Sequence, residues 1–360
     1  MPVYPSYVAT DRLDSTFERA QKIEHPEVRA FRYSPDGKWL AITGKSSTAI
    51  WRTSDWTLHR KWDDAGAALA FSPDGEFLAI ARGVSIDLND KGITGVLDHQ
   101  SAVVLRKVST GDVFGHLVGE PCLEYSRPLA FTPDSKCLLL LSAEGKVQVF
   151  DVMSQELRTR WDANFTPAEK WFSERPRYLK MSPSGRSVYV ACKTQVTDDA
   201  GLKCWDIKTG KRQPVKSQSG SLSSHARDKA YVHDFGWMPN GELHILWNRG
   251  VGRSYHTREF DASRFGWEPM KLRMSVSPTG RTASYVRRGL QVQLNIGDES
   301  HLIPDFTRDR SRGDKLYPQV VWGECLSWHP RGSQLAALGG RDCIRILPFS
   351  DSQQERIDSK

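Results

Sequence analysis

Ser34-Pro35-Asp36-Gly37, with Phe31-Arg32-Tyr33 before it and Lys38-Trp39-Leu40-Ala41-Ile42 after it, has the form of a tight turn between two short strands. Proline presets φ in the turn and Asp-Gly closes it, so two short apolar runs fold back on each other. The same frame returns at Ser72-Pro73-Asp74-Gly75, Thr132-Pro133-Asp134-Ser135, Ser182-Pro183-Ser184-Gly185, Met238-Pro239-Asn240-Gly241, Ser277-Pro278-Thr279-Gly280 and His329-Pro330-Arg331-Gly332, seven copies in all.

The flanks repeat as well. Four residues before the prolines stand Phe31, Leu69, Leu129, Leu179, Phe235, Met274 and Leu326, and two before stand Tyr33, Phe71, Phe131, Met181, Trp237, Val276 and Trp328. Alternation with period two marks a strand. After the turn, Leu40, Leu78, Leu138, Val188, Ala283 and Leu335 sit inside second strands. Third strands follow in Thr48–Trp51, Val147–Asp151, Leu202–Asp206 and Cys343–Leu347, and outer strands in Leu58–Trp62 and Leu157–Trp161. A unit this short cannot bury its own apolar surface and must stack on its copies.

In these Pro-Asp-Gly turns, and in the third-strand endings Trp205-Asp206, Phe150-Asp151 and Phe260-Asp261, the chain resembles the WD-repeat β-propeller family over almost its whole length. The resemblance implies an all-β fold, a seven-bladed β-propeller of four-stranded antiparallel blades, and a non-catalytic protein-protein interaction scaffold. One literal Trp-Asp pair is present, and Gly119-Glu120 stands where the family has Gly-His. Asp342 is a candidate remnant of the family's buried Asp-His-Ser/Thr network.

The ends suggest how the ring closes. The last copy stops after its third strand near Pro348, while Thr16–Ile23 precedes the first inner strand as an outer strand would. The N-terminal segment is therefore expected to supply the outer strand of the last blade, protecting its edge. This divides the chain into a tail at 1–14, one propeller domain at 15–350 and a tail at 351–360.

Composition agrees. The 360 residues would ordinarily suggest more than one domain, but a propeller grows by adding blades. No apolar run approaches membrane-spanning length, Met1-Pro2-Val3-Tyr4-Pro5 lacks the pattern of a signal peptide, and the six cysteines form no Cys-x-x-Cys pair. A cytoplasmic protein with reduced, buried cysteines and no membrane partner is expected.

Function is expected where the repeat stretches. Consecutive repeat prolines lie 38, 60, 50, 56, 39 and 52 residues apart. The long segments are 82–102 and 193–201, between second and third strands, and 115–127, 163–177, 213–233 and 304–323, between an outer strand and the next inner one. Both kinds emerge on one face of a propeller, while the opposite face carries tight turns, so partner binding is expected on the long-loop face. Trp171 and Phe172 in the 163–177 segment are candidate apolar anchors. Arg29, Arg127, Arg177 and His233 begin inner strands at the channel rim.

The net charge is +7, and residues 245–290 hold nine basic residues against three acidic ones. Of these, Arg249, Arg253, Lys271, Arg287 and Arg288 are expected on the long-loop face of blades five and six. This sector suits a protein or peptide of acidic character, and alternatively an anionic ligand or nucleic acid. An ordinary reading also holds: strand aromatics are core, and arginine stems cover blade surfaces.

Catalytic and cofactor motifs are not found. Gly44-Lys45-Ser46 lacks the spacing of a phosphate loop, and Asp87-x-Asn89-x-Lys91-Gly92 puts lysine where a calcium loop needs a carboxylate, which favours a hairpin. His233, His244 and His256 fall on successive strands at offsets that do not bring them level, so no metal is expected. No cofactor and no enzyme activity are expected.

Overall fold

In a computed structural model the described residues are 20–86, 93–94, 102–124, 126–163, 176–192, 202–215, 230–251, 254–259, 271–286, 291–296, 299–303, 325–340 and 342–349. Every regular element among them is a β-strand.

Seven antiparallel sheets follow the sequence frame. The first contains Val28–Tyr33, Trp39–Gly44, Thr48–Arg52 and Leu58–Trp62, in that spatial order. The second contains Ala68–Phe71, Phe77–Ala81, Val103–Lys107 and Val113–Leu117; the third Leu129–Phe131, Cys137–Leu141, Lys146–Asp151 and Leu157–Asp162. The fourth ends in a short outer strand, Arg212–Gln213, and the sixth runs from Lys271–Val276 to Glu299–Ile303. Three strands of the fifth are described, Ala230–Trp237, Leu243–Val251 and Ser254–Glu259. The seventh consists of Leu326–Trp328, Gln334–Gly340 and Cys343–Pro348, with Gln21–Glu24 paired antiparallel to its third strand.

The repeated turn is built the same way seven times. The amide of its fourth residue donates to the carbonyl of its first at 2.8 to 3.1 Å, from Gly37 to Ser34 through Gly332 to His329. In the first copy Ser34 Oγ donates to Asp36 at 2.6 Å and accepts the Trp39 amide at 3.0 Å, and Ser72 with Asp74 and Thr132 with Asp134 repeat the device. The fourth residue has positive φ in every copy, which glycine adopts without strain; only Ser135, at 59°, does so with a side chain.

The apolar frame is the core. All seven residues four before the prolines are buried, none above 4% exposure, and Leu40, Leu78, Leu138, Val188, Ala283 and Leu335 are wholly enclosed. Burying a leucine- or phenylalanine-sized side chain contributes about 1.5–3 kcal/mol, so this repeated position is the main apolar term. Neighbouring sheets touch through their first strands: Val28–Tyr33 with Ala68–Phe71, that with Leu129–Phe131, and that with Pro176–Met181. Ser187–Cys192 then meets Ala230–Trp237, which meets Lys271–Val276, which meets Leu326–Trp328, which returns to Val28–Tyr33.

One expectation is extended and one needs correction. The long segment after the second sheet's second strand is not merely a loop: Gly83–Ile86 pairs antiparallel with Ile93–Thr94 and parallel with Cys122–Leu123, an additional small sheet. This is the hairpin favoured over a calcium loop; residues 87–92 themselves lie outside the described residues. Asp342 is not buried: it is exposed, and its carboxylate accepts the Glu27 amide at 2.7 Å. Of the five described cysteine side chains, all free, Cys122, Cys204 and Cys325 are buried whereas Cys137 and Cys343 are half-buried.

Candidate functional site

The connections fall into two sets. Turns between first and second strands contact one another across sheets: His329 Nε2 lies 3.1 Å from the Gly37 carbonyl, Ser135 Oγ accepts the Asp74 amide at 3.1 Å, and Gly332 lies against Thr279. These compact turns form one face. The connections from second to third strands, and from each outer strand to the next sheet, lie at the other end of the strands.

On that loop end, a cleft of about 370 Å³ opens between the first and second sheets. Asp63 and Asp64 line it from the end of the first sheet, Arg82 and Gly83 from the second strand of the second, and Gly119 and Pro121 from the connection to the third. Arg29 enters from the first inner strand, its guanidinium 2.8 Å from Glu124, the residue that follows the small sheet. Arg106 binds Asp64 through Nε at 2.7 Å and lies 4.8 Å over the Trp62 ring. Two mostly buried ion pairs thus hold the walls. Arg82 and Asp63 are exposed and make no side-chain hydrogen bond to another described residue, so they are the groups a ligand meets first.

A second constellation lies on the inner strands of sheets three to six. Asp234, with no exposed surface, accepts Arg127 Nη1 at 2.9 Å, Lys180 Nζ at 3.1 Å and the Met274 amide at 3.1 Å. Lys180 also donates to the Phe235 carbonyl and lies 5.0 Å over the Phe235 ring. Burial pulls the Lys180 ammonium below the ordinary lysine range, and the Asp234 carboxylate opposes that shift. One carboxylate receives two cations and an amide from three other sheets.

Over 92% of this chain and 98% of the other, the structure aligns with the β-propeller domain of Cps50 (Swd1) from Myceliophteria thermophila, with a TM-score of 0.57 and 14% sequence identity. The fold is a β-propeller. No protein-family model matches the sequence, and no curated protein matches it. At this identity the likeness concerns the propeller fold, and the WD-repeat resemblance of the turns and strands is supported at that level.

The propeller places the expected site residues as follows. Arg29 lines the loop-face cleft, while Arg127 is buried on Asp234 and reaches no partner surface. Arg177, Arg249 and Lys271 lie at loop-side ends of strands Pro176–Met181, Leu243–Val251 and Lys271–Val276, and His233 lies within Ala230–Trp237; only their backbones are described. Trp171, Phe172, Arg253, Arg287 and Arg288 lie outside the described residues. The histidine trio is not level: His244 is opposite Gly236 and His256 opposite Arg249, on different rungs of the sheet. Among the described residues no three His, Cys, Asp or Glu side chains are grouped to hold a metal.

Sequence reading passed over Arg82, Asp63, Glu124 and Asp234. For Asp234 there was one signal, an acidic residue inside the apolar strand Tyr231-Val232-His233-Asp234-Phe235. For the cleft there was none, because its walls come from segments far apart in the chain.

Proposed function

We propose that this chain is a non-catalytic protein-interaction scaffold, a seven-bladed propeller that engages a partner of acidic character on its loop face. The observation that carries the reading is the asymmetry of the faces: compact turns at one end, and at the other a built cleft, an additional sheet and the long connecting segments. Rigid strands hold these connections, so binding orders few groups and loses little conformational entropy. Seven blades and their closure are supported by the cyclic order of contacts between neighbouring sheets and by the pairing of Gln21–Glu24 with Cys343–Pro348.

Two surfaces contribute on this reading. The cleft offers Arg82 beside the locked Arg29–Glu124 pair, and blades five and six offer Arg249, Arg253, Lys271, Arg287 and Arg288. Propellers of this type usually bind proteins, and the resemblance supports no reaction.

The test is capture of partners from native lysate by wild type and by an Arg249, Arg253, Arg287 and Arg288 quadruple alanine variant, at low and high salt. The scaffold reading expects a discrete protein retained at high salt. Recovery of nucleic acid alone, lost with salt or with the substitutions, would replace it with an electrostatic nucleic-acid binder.

A further inference from the structure

The compact-turn face carries a feature that the scaffold reading does not use. Where the first and seventh sheets meet, a cleft of about 310 Å³ lies between the turn at Asp36–Trp39, the outer turn at Arg52–Ser54, and His329 with Arg331. Its floor is made rigid by His329. The ring's Nδ1 accepts the Arg331 amide at 3.2 Å, which leaves Nε2–H to donate to the Gly37 carbonyl at 3.1 Å. Trp39 forms one wall and is itself braced by stacking on His59, ring centroids 4.4 Å apart.

The groups around the mouth are cationic. Lys38 and Arg52 are, respectively, 74% and 47% exposed along their side chains, and Arg331 is exposed with no side-chain partner among the described residues. Lys38 touches Asp36 at 3.3 Å and Arg52 touches Asp55 at 3.2 Å. Exposed pairs of this kind hold their partners weakly, so both cations can turn to a better acceptor. Three cations against two carboxylates leave one net positive charge at the cleft, with His329 neutral, and the Ser54 hydroxyl is a further donor at its edge.

We propose that this cleft is a second binding site, for a phosphate monoester carried on an apolar or aromatic stem. The phosphoryl oxygens lie between Arg331, Arg52 and Lys38, and the stem packs against Trp39. A phosphoryl group favours this arrangement over a neutral ligand because its charge near −2 satisfies several cations at once, and guanidinium groups match its oxygens. The volume admits a single modified side chain or a headgroup rather than a folded segment. The site is on the face opposite the proposed partner surface and stands independently of it.

Phenyl phosphate is the probe, titrated calorimetrically into the full-length chain at low salt, with phenol as the uncharged control. Saturable binding of phenyl phosphate and none of phenol is expected. Arg331→Ala should weaken binding about tenfold or more, the loss of one charge-assisted contact, and Arg331→Lys should restore part of it. Lys208→Ala, in an exposed turn of the fourth sheet that does not line the cleft, should leave it unchanged, and circular dichroism of each variant checks folding. Pelleting with vesicles of phosphatidylcholine and phosphatidic acid, lost in Arg331→Ala, would assign the monoester to a lipid; binding of phenyl phosphate without pelleting would assign it to a soluble or protein-borne group. Absence of saturable phenyl phosphate binding, or equal binding by wild type and a folded Arg331→Ala variant, would overturn the proposal.

Discussion

Ile23 stands directly opposite Ile344 in antiparallel register, so segments close to the two ends of the chain share one sheet. Both are buried in the same apolar cluster, which also contains Phe31 of the first sheet and Leu326 of the seventh. The apolar contact at this seam therefore depends on a strand contributed from the other end of the sequence.

Ile23→Ala should lower stability by about 2–5 kcal/mol, the usual result of truncating an enclosed isoleucine. Lys22→Ala, on the exposed side of the same strand, should change it by no more than about 0.5 kcal/mol. Urea unfolding of the two variants is the check. Equal and small effects would mean that this strand does not close the ring.

Gly37 and Gly75 separate backbone strain from steric collision. Both have φ near 75°, but a methyl group on Gly37 would come within 2.3 Å of the His329 ring, whereas nothing lies within 4 Å at Gly75. Gly75→Ala should cost about 1–2 kcal/mol from the left-handed backbone alone. Gly37→Ala should cost clearly more and should loosen the contact between the seventh and first sheets, measurable as faster amide exchange at Gly332.

Asp234→Asn should destabilise by about 3–5 kcal/mol, because it leaves the buried Arg127 and the half-buried Lys180 beside a group without charge. A combined Lys180→Met and Asp234→Asn variant should recover part of the loss. Thermal unfolding of the single and double variants tests this, and strict additivity would show that the two side chains do not act together.

Stability should fall on mild acidification through two histidines. Burial holds both His25 and His329 below the ordinary histidine range, outweighing their contacts with the Ser47 and Gly37 carbonyls. The unfolded chain then binds protons that the folded chain refuses, so stability is complete above about pH 6.5 and declines as pH drops below it. The Thr132 hydroxyl holds the Asp134 carboxyl below the usual carboxylate range, so its contribution is lost only at still lower pH. The urea midpoint should therefore drop between pH 7.5 and 5.5, and less so in His25→Gln.

The parts legible in the sequence are those specified locally. A Pro-Asp-Gly turn, its Ser or Thr cap and an alternating apolar flank are each contained in about ten residues, and each copy formed the expected hairpin. Ser135 took the same positive φ without glycine because the surrounding bonds repeat. Pairings between distant segments were not legible: Cys122–Leu123 adds parallel to Gly83–Val84 over two residues, too short to leave a pattern. Charge counting failed for a related reason. Arg127 looked like a rim cation, and only its proximity to Asp234, 107 positions away in sequence, showed it to be internal.

Partners that bind the loop face should respond to charge there and not on the turn face. The most direct measurement is retention of one captured partner by wild type, by an Arg82→Glu variant, and by a Lys136→Glu and Lys208→Glu variant whose changes lie in exposed turns of the opposite face. Arg82→Glu should weaken retention at least about tenfold through charge repulsion, while the turn variant should match wild type. Retention lost in the turn variant and kept by Arg82→Glu would contradict binding at the loop face.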